Sequence, residues 1–442
     1  MTINILPDDA LLEIFHFCRE GHGRWWKTLV DVCRRWRDII FASPYSLDVR
    51  LECTNGTPTR TSLDIWPPIP LTISCYSHTP YGDDNIIAAL EHHDRIVQID
   101  IQGFGLEKFF AVTERPFPIL TDLCLSSYGL TAPVLDDEFL GGSAPSLRRF
   151  KLGNIAFPAF PKLALSATHL SSLTLWDIPK TGYLSPEVVV TCLAMLPNLH
   201  LLRFGFPIHP RLSRPDQKTL PPPKPTVLSA LTFFAFKGVS EYLEDLISRI
   251  DTPRLNRLEV CLEVDLIIHI PQLHNFIAHS ECIRPLNPAK LLFFTSIIRI
   301  ILGSLNDVVD LLIRLPDTGT MASSMAQVCS QLSPLLSQVE QLDIHEGIPG
   351  QSRQGNLINS TWWFNLFDHF PAVQYLHIYH ELRPLVVQAL QELTGERATQ
   401  VLPCLRSLVF EGSSPSGSIQ EDIQGFITLR QNSNHPVDVH WA

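Results

Sequence analysis

A short pattern that recurs along the chain constrains its fold more than any other feature. Six segments carry a proline, an apolar residue two positions later, and two further apolar residues at strand-like spacing: FPILTDLCL, APSLRRFKL, LPNLHLLRF, TPRLNRLEV, FPAVQYLHI and LPCLRSLVF. With 45% apolar residues and 35 prolines among 442 residues, about three such segments are expected by chance. Four more segments fit without the proline: RIVQIDI, HLSSLTL, ALTFFAF and QVEQLDI. The excess predicts a structural repeat.

The spacing of these ten segments indicates which repeat it is. Their first apolar positions are Ile96, Leu120, Leu147, Leu170, Leu199, Leu231, Leu255, Val339, Val373 and Leu405. All steps between them are 23 to 34 residues, except one of 84 residues. Alternating strands and helices at this period are typical of an α/β solenoid. Within the long step, AKLLFFTSIIRIIL and DVVDLLIRL have a strand-like composition, so we expect irregular strands there rather than an unrelated domain.

The segments between the predicted strands contain helix and loop signals. Residues 185–187 (Ser-Pro-Glu) provide an N-cap, a first-turn proline and an acidic first turn. Ser240 and residues 385–393 introduce similar apolar stripes. Residues 207–225 are rich in proline and lack apolar periodicity, which predicts an exposed insertion. Residues 412–418 (GSSPSGS) predict a second loop.

The first fifty residues differ from the rest, because their apolar residues follow helical spacing. Pro7 suits a first helical turn, and the helix after it places Leu11, Ile14, Phe15 and Cys18 in one stripe. A second stripe contains Leu29, Val32, Cys33, Trp36 and Ile40. Two or three short helices cannot bury so many large apolar residues against one another. The segment is therefore either a cap on the following structure or an interaction module completed by a partner.

Several of these residues resemble the F-box motif, in the order and with nearly the spacing of that family: Leu6–Pro7, Leu11–Leu12, Ile14–Phe15, Val32–Arg37 and Ile39–Ile40. The resemblance covers about residues 4–45 and departs from the family at GHGRWWK, in the middle of the segment. The downstream pattern resembles degenerate leucine-rich repeats without the asparagine that normally follows each strand. The whole layout is similar to the F-box families of mushroom-forming fungi.

The resemblance implies a substrate-recognition subunit of a cullin-type ubiquitin ligase. The helical module would dock on a Skp-family linker protein, which carries the cullin, and the repeats would bind an unknown protein substrate. The chain itself would be a non-catalytic adaptor without a cofactor. The implied linker-binding residues are Leu6, Pro7, Leu11, Ile14, Phe15, Val32, Cys33 and Trp36. Two alternatives stay open: an F-box scaffold acting outside ubiquitin transfer, and an enzyme with a site dispersed over the repeats.

Sequence signals for chemistry are weak. The chain contains no GxSxG, GxxxxGK[ST], HExxH or GxGxxG motif. The best candidate metal ligands are His269, His274, His279 and Cys282. Residues about five positions apart do not lie on one face of a helix, which argues against a shared metal. We therefore predict no metal, no cofactor and no catalytic residues.

The alternation of each predicted strand also predicts an exposed face. If the apolar residues point inward, the residues between them line the concave surface of the repeats. Apart from acidic neighbours such as Glu259 and Asp343, these are mostly basic or aromatic, and the residues we expect to bind the target are Arg149, Lys151, Trp176, Arg203, Lys237, Arg257, Tyr375, His377 and Tyr379. The face is then either a solvated surface with incidental charges or a binding surface with a basic middle that captures an acidic partner.

Composition limits the compartment and the partners. Lysine and arginine total 34 against 45 aspartate and glutamate, a net charge of −11, which disfavours nucleic-acid binding. Ten dispersed cysteines without a CxxC pair are typical of reduced, mostly buried thiols. Asp8, Asp9 and Glu13 exclude the basic start of a signal peptide, and Arg299 interrupts the most apolar stretch. We expect a soluble cytoplasmic and/or nuclear protein without membrane association.

Together these patterns predict an α+β protein in three parts. A small helical F-box occupies residues 1–48, and a connector occupies residues 49–68. An irregular α/β leucine-rich-repeat solenoid then spans residues 69–442, with the proline-rich insertion at residues 207–225.

Overall fold

The computed structural model describes most of the chain as a mixed α/β protein. The described residues are 5–18, 25–77, 83–207, 224–263, 268–280, 282–283, 286–294, 296–304, 308–315, 321–346, 360–379, 382–411 and 417–441. They belong to two compact units: the first contains Met1–Leu184 and Met195–Leu199, and the second contains Ser185–Ala194 and His200–Ala442.

The first unit combines short helices with parallel strands. Its helices are α1 (Asp8–Phe17), α2 (Trp25–Val30), α3 (Arg34–Ala42), α4 (Thr59–Ile65), α5 (Asp83–Leu90), α6 (Glu107–Thr113) and α7 (Phe160–Ala164). Its strands are β1 (Leu51–Thr54), β2 (Leu71–Ser77), β3 (Ile96–Gly103), β4 (Asp122–Ser127), β5 (Arg149–Gly153) and β6 (Ser172–Trp176). Each strand pairs in parallel with the next along the chain.

The second unit continues the alternation of helices and strands. Its helices are α8 (Pro186–Ala194), α9 (Ser240–Ile247), α10 (Pro271–His279), α11 (Met321–Leu336), α12 (Ser360–Phe367), α13 (Arg383–Gln391), α14 (Arg397–Gln400) and α15 (Gly417–Asn432).

The strands of the second unit are β7 (Leu201–Gly205), β8 (Thr226–Val227), β9 (Phe233–Gly238), β10 (Ile250–Asp251), β11 (Arg257–Glu263), β12 (Ala289–Phe293), β13 (Ile297–Gly303), β14 (Val308–Arg314), β15 (Gln341–Glu346), β16 (Tyr375–Tyr379), β17 (Ser407–Glu411) and β18 (Asp438–Trp441). Ten of them follow the order β7-β9-β11-β14-β13-β12-β15-β16-β17-β18, and β8 pairs with β10 separately.

The predicted strand positions are confirmed at all ten segments. The strand begins at Ile96 itself in the first segment and two residues after the first apolar position in the other nine. The predicted alternation is clear in β5, where Phe150 and Leu152 are buried while Arg149 and Lys151 are exposed. The apolar residues of each strand thus form the core, and the residues between them form the opposite face.

Strands also occupy the long step between repeats, as predicted. β14 pairs in parallel with β11, and β12 pairs in parallel with β15, while β13 lies antiparallel between β12 and β14. Two antiparallel pairings reverse the chain direction twice. β12 and β14 therefore run in the same direction as their outer neighbours β15 and β11, although the spatial order β14-β13-β12 is the reverse of the order along the chain.

The local helix signals are confirmed in part. The Val188 N–H donates to the Ser185 hydroxyl at 3.4 Å, so Ser185 caps α8. Ser240 is the first residue of α9, and the apolar stripe predicted after it is buried at Leu243, Leu246 and Ile247. The prediction of a loop over residues 412–418 is wrong at its end, because α15 starts at Gly417. Residues 208–223 of the predicted insertion and residues 412–416 lie outside the described residues.

In the second unit, consecutive helices from α8 to α13 contact one another, and α15 contacts α13. Helices also pack on the strands, as α9 does on β9 and α11 does on β13. Aromatic rings fill part of this interior: Tyr242 of α9 contacts Phe204, Phe206 and Phe236 with ring centroids 4.9–5.8 Å apart. No described helix combines the length and apolar character that crossing a bilayer requires.

Candidate functional site

Hydrogen bonds from α3 hold the start of α1 in place. The Arg35 guanidinium donates to the Asp8 carboxylate at 2.6 and 3.0 Å and to the Leu6 carbonyl at 2.5 Å. Arg37 donates to the Val30 carbonyl at 3.0 Å, which satisfies an acceptor left open at the end of α2. The three helices are therefore tied together by polar contacts at their ends.

These three helices have a small core of their own. Leu11 and Phe15 of α1 are fully buried. The Phe15 ring packs edge to face against Trp36, with centroids 5.0 Å apart. Trp26 is also fully buried; its indole N–H donates to the Arg50 carbonyl, and its ring contacts Trp66 at 5.1 Å. The helices are thus anchored to the residues that follow them.

The same helices leave several apolar side chains in solvent. Phe17 is 80% exposed and Val32 is 56% exposed, and Ile5, Pro7 and Ile14 are exposed as well. Ile14 and Phe17 are three residues apart, so they share one face of α1. We call these five residues the N-terminal apolar surface. Several large apolar side chains left exposed on one small module favour a protein-binding region.

The eight predicted linker-binding residues fall into three groups. Pro7, Ile14 and Val32 are exposed, while Leu6, Cys33 and Trp36 are half-buried. Leu11 and Phe15 are buried in the module, so they shape the surface without being accessible on it. Ile5 and Phe17 were not predicted, because neither is among the motif positions that the resemblance supplied.

In the first unit, the expected target-binding face is less basic than predicted. Arg149 forms an ion pair with the Asp122 carboxylate of the neighbouring strand. Lys151 is exposed, and Trp176 is half-buried. A cleft of about 510 Å³ beside Arg149 contains two more arginines, but Arg50 is paired with Asp48 at 2.6 Å. The cleft is lined by Arg50, Val97, Thr121, Asp122, Arg148, Arg149 and Ser171.

In the second unit, the predicted basic residues also contact neighbouring side chains. The guanidinium groups of Arg203 and Arg257 lie 4.9 and 5.6 Å from the Phe233 ring. Arg257 is also paired with Glu259 at 2.7 Å, and Lys237 is half-buried. The sequence pattern overstated the positive charge of this face, because the acidic partners stand on the same face as the basic residues.

Two of the three predicted residues on β16, His377 and Tyr379, belong to an aromatic stack. The Tyr379 ring lies 3.6 Å from the His345 ring and 4.2 Å from the His377 ring, and Tyr375 is exposed. His377 Nε2 lies 3.5 Å from a carboxylate oxygen of Glu411. Burial lowers the pKa of His345, which keeps this imidazole neutral at pH 7. The stack is thus ordered by contacts within the second unit.

The structure also brings together polar and aromatic residues that the sequence analysis did not single out. The Tyr76 hydroxyl donates to Asp100 at 2.6 Å, Gln102 donates to Asp100 at 2.9 Å, and the Tyr128 hydroxyl contacts Gln102 at 3.0 Å. The hydrogen bond to Asp100 raises the pKa of Tyr76 to about 12. The alternating polar residues of IVQIDIQ are a sequence signal for this cluster, but the tyrosines that they contact lie elsewhere in the chain.

The four residues that were the best metal-ligand candidates in the sequence, and that we did not predict to bind a metal, do not converge in the structure. His279 Nδ1 contacts the Asn275 carbonyl at 2.6 Å within α10. Among the described residues, no three His, Cys, Asp or Glu side chains are arranged to hold a metal ion.

No model of a protein family matches the sequence, and a comparison with curated proteins found no match.

Proposed function

We propose that this chain is the substrate-recognition subunit of a cullin-type ubiquitin ligase, acting in the cytoplasm or nucleus without catalytic residues of its own. In this proposal α1–α3 form an F-box domain that docks a Skp-family linker, and the later strands and helices form an irregular leucine-rich-repeat solenoid that binds a protein target. The observation that carries the proposal is the N-terminal apolar surface.

This surface favours a docking module over a simple cap. A cap would bury Ile14 and Val32 under the elements that follow, yet both side chains are exposed. Trp36 finds its ring partner in Phe15 of the same module rather than in a later strand. Burying a Val, Ile or Phe side chain fully contributes about 1.5–3 kcal/mol, so a partner helix covering this surface would gain substantial binding energy.

The later part of the chain supports the role of a target-binding array. Ten strands recur at the spacing of the sequence repeat, and neighbours among β1–β6 and β15–β17 pair in parallel. Each presents one face of residues that the core does not use, including the exposed Lys151 and Tyr375. Such a face can vary without loss of the core, as target recognition requires.

Co-expression with a Skp-family linker protein tests the proposal. The full wild-type chain is expected to co-purify with the linker, and Val32→Glu and Ile14→Asp are expected to weaken capture by at least about tenfold. Leu165→Glu is the matched control, since Leu165 is an exposed apolar residue of the same unit outside the N-terminal apolar surface. Equal loss in the control, or capture unaffected by Val32→Glu, contradicts the proposal.

Recovery of a cullin in the same purification separates two roles. Recovery of a cullin with the wild-type chain, and its loss with Val32→Glu, supports a role in ubiquitin transfer. Linker capture without any cullin would instead favour a scaffold that acts outside ubiquitin transfer.

A further inference from the structure

Three exposed aromatic side chains lie together in the first unit. Tyr76 is near the end of β2, Phe104 directly follows β3, and Tyr128 directly follows β4; their exposed fractions are 64%, 54% and 49%. Strand pairing places Tyr76 opposite Gln102, and the Tyr128 N–H donates to the Gly103 carbonyl at 2.9 Å. The Phe104 and Tyr128 rings are 6.1 Å apart, edge to face. We call Tyr76, Asp100, Gln102, Phe104 and Tyr128 the aromatic platform.

Hydrogen bonds order this platform before any partner arrives. Asp100 accepts from the Tyr76 hydroxyl through one carboxylate oxygen and from the Gln102 amide through the other. The carbonyl oxygen of Gln102 contacts the Tyr128 hydroxyl, so two rings and one carboxylate form one network across three strands. Exposed aromatic rings that are already held in place lose little conformational entropy on binding, which is typical of interface anchors.

The electrostatics of the platform favour a cationic group. The faces of aromatic rings carry negative potential, and the Asp100 carboxylate adds a full negative charge among them. Glu52 on β1 contributes to the same field, since it acts on the Tyr76 hydroxyl together with Asp100. The chain as a whole has a net charge of −11. An acidic peptide or a nucleic acid would be repelled here.

We propose that the aromatic platform binds arginine or lysine side chains of a basic segment in a protein partner. The inference rests on the proposed function, in which the repeats bind a protein target, and it gives the chemical class of that target's recognition segment. It differs from the acidic partner that the sequence left as one of two interpretations, because Arg149, Arg203 and Arg257 contact carboxylates or rings while these aromatic side chains are exposed.

Fluorescence anisotropy with the full chain tests the proposal. The probe is a short fluorescein-labelled peptide of alternating glycine and arginine, measured beside its glycine–glutamate and glycine–serine counterparts. We expect the arginine peptide alone to bind, and Asp100→Asn and Phe104→Ala each to weaken it about fivefold. Asp137→Asn removes the same charge from another exposed position of the first unit and is expected to leave binding unchanged.

Two results would overturn the proposal. One is arginine-peptide binding no tighter than that of the serine peptide. The other is equal weakening by Asp137→Asn, which indicates general attraction to an acidic chain. Linker capture is measured on the same variants, since the platform lies outside the N-terminal apolar surface. If the wild-type chain captures the linker but does not bind the arginine peptide, the platform alone is rejected. Loss of linker capture in Val32→Glu tests the adaptor role alone.

Discussion

The Phe15 ring of α1 and the Trp36 ring of α3 pack edge to face, with centroids 5.0 Å apart. Phe15 is fully buried and Trp36 is half-buried. Trp36→Ala removes this contact and leaves a gap beside Phe15, so we expect it to lower the free energy of unfolding of the module by about 2 kcal/mol. Trp36→Phe, which keeps a ring, is expected to lower it by less. Urea unfolding followed by circular dichroism measures both, and equal stabilities for Trp36→Ala and wild type would contradict the contact.

Arg430 of α15 is fully buried and donates to main-chain carbonyls rather than to a carboxylate. Its acceptors include Ala398, Leu402 and His435, at 2.9, 3.3 and 3.2 Å. Arg430→Met removes the guanidinium donor from the Ala398 and His435 carbonyls, while the Leu402 carbonyl keeps the Leu405 N–H, so we expect a loss of about 3 kcal/mol.

Arg430→Lys is expected to recover little of this loss, because one ammonium group cannot reproduce the planar fork of a guanidinium. The matched control is Arg406→Met, at an exposed arginine, where we expect a change within about 0.5 kcal/mol. Chemical denaturation of the full chain compares the three variants. Similar losses at Arg430 and Arg406 would show that the carbonyl contacts contribute nothing.

Glu244 of α9 accepts the first N–H groups of α10, from Gln272 at 2.6 Å and Leu273 at 3.1 Å. Burial nevertheless raises the pKa of Glu244 from 4.5 to about 7. The folded state therefore holds a proton that the unfolded state releases between these pH values. The contribution to stability is present below pH 4.5 and is lost as the pH rises through about 7.

Glu244→Gln keeps an acceptor for α10 and removes the buried charge. We therefore expect its Tm, relative to wild type, to increase as the pH rises from mildly acidic to mildly alkaline. Glu241→Gln, on the same helix, is measured in parallel to subtract the general effect of losing one carboxylate. A difference in Tm that is constant with pH, or that falls, would rule out a raised pKa at Glu244.

The ten cysteines differ widely in exposure, and all of them are free thiols. Cys18, Cys282 and Cys404 are exposed, so we expect iodoacetamide to label them first at neutral pH. Burial raises the pKa of Cys329 to about 12 and that of Cys192 to about 11, so these thiols should react only after unfolding. Mass spectrometry of timed labelling checks the order. Fast labelling of Cys329 in the native protein would contradict its burial.

The strands of this protein could be predicted because the alternation of buried and exposed residues is a local signal. The apolar residues Phe150 and Leu152 predict β5 from five residues alone, without information about a partner strand. The inverted order β14-β13-β12 could not be predicted, since strand pairing joins residues far apart in the chain. The pairing of charges could not be predicted either. The positions of Arg149 and Arg257 are evident from the sequence, but whether Asp122 and Glu259 neutralise them depends on strand register and on side-chain rotamers.

In the N-terminal module, too, the sequence predicted local helical structure but not which residues are buried. Helical spacing indicated that Leu11, Ile14 and Phe15 share a stripe, because the period of a helix is a property of the local backbone. Which of them is buried depends on where α3 crosses α1, and there the structure buries Leu11 and Phe15 while leaving Ile14 exposed.

The amino-acid sequence by itself determined the period of the repeated segments, the helical character of the first fifty residues and the inward side of the ten strands in those segments. All three follow from hydrophobic burial acting on a backbone of known period. Only the tertiary structure decided which charges are paired, which aromatic rings reach solvent and how Tyr76, Asp100 and Tyr128 come together. The Arg149–Asp122 pair and the hydrogen bonds of Tyr76 and Tyr128 join side chains more than twenty residues apart, whose contact energies no local pattern encodes.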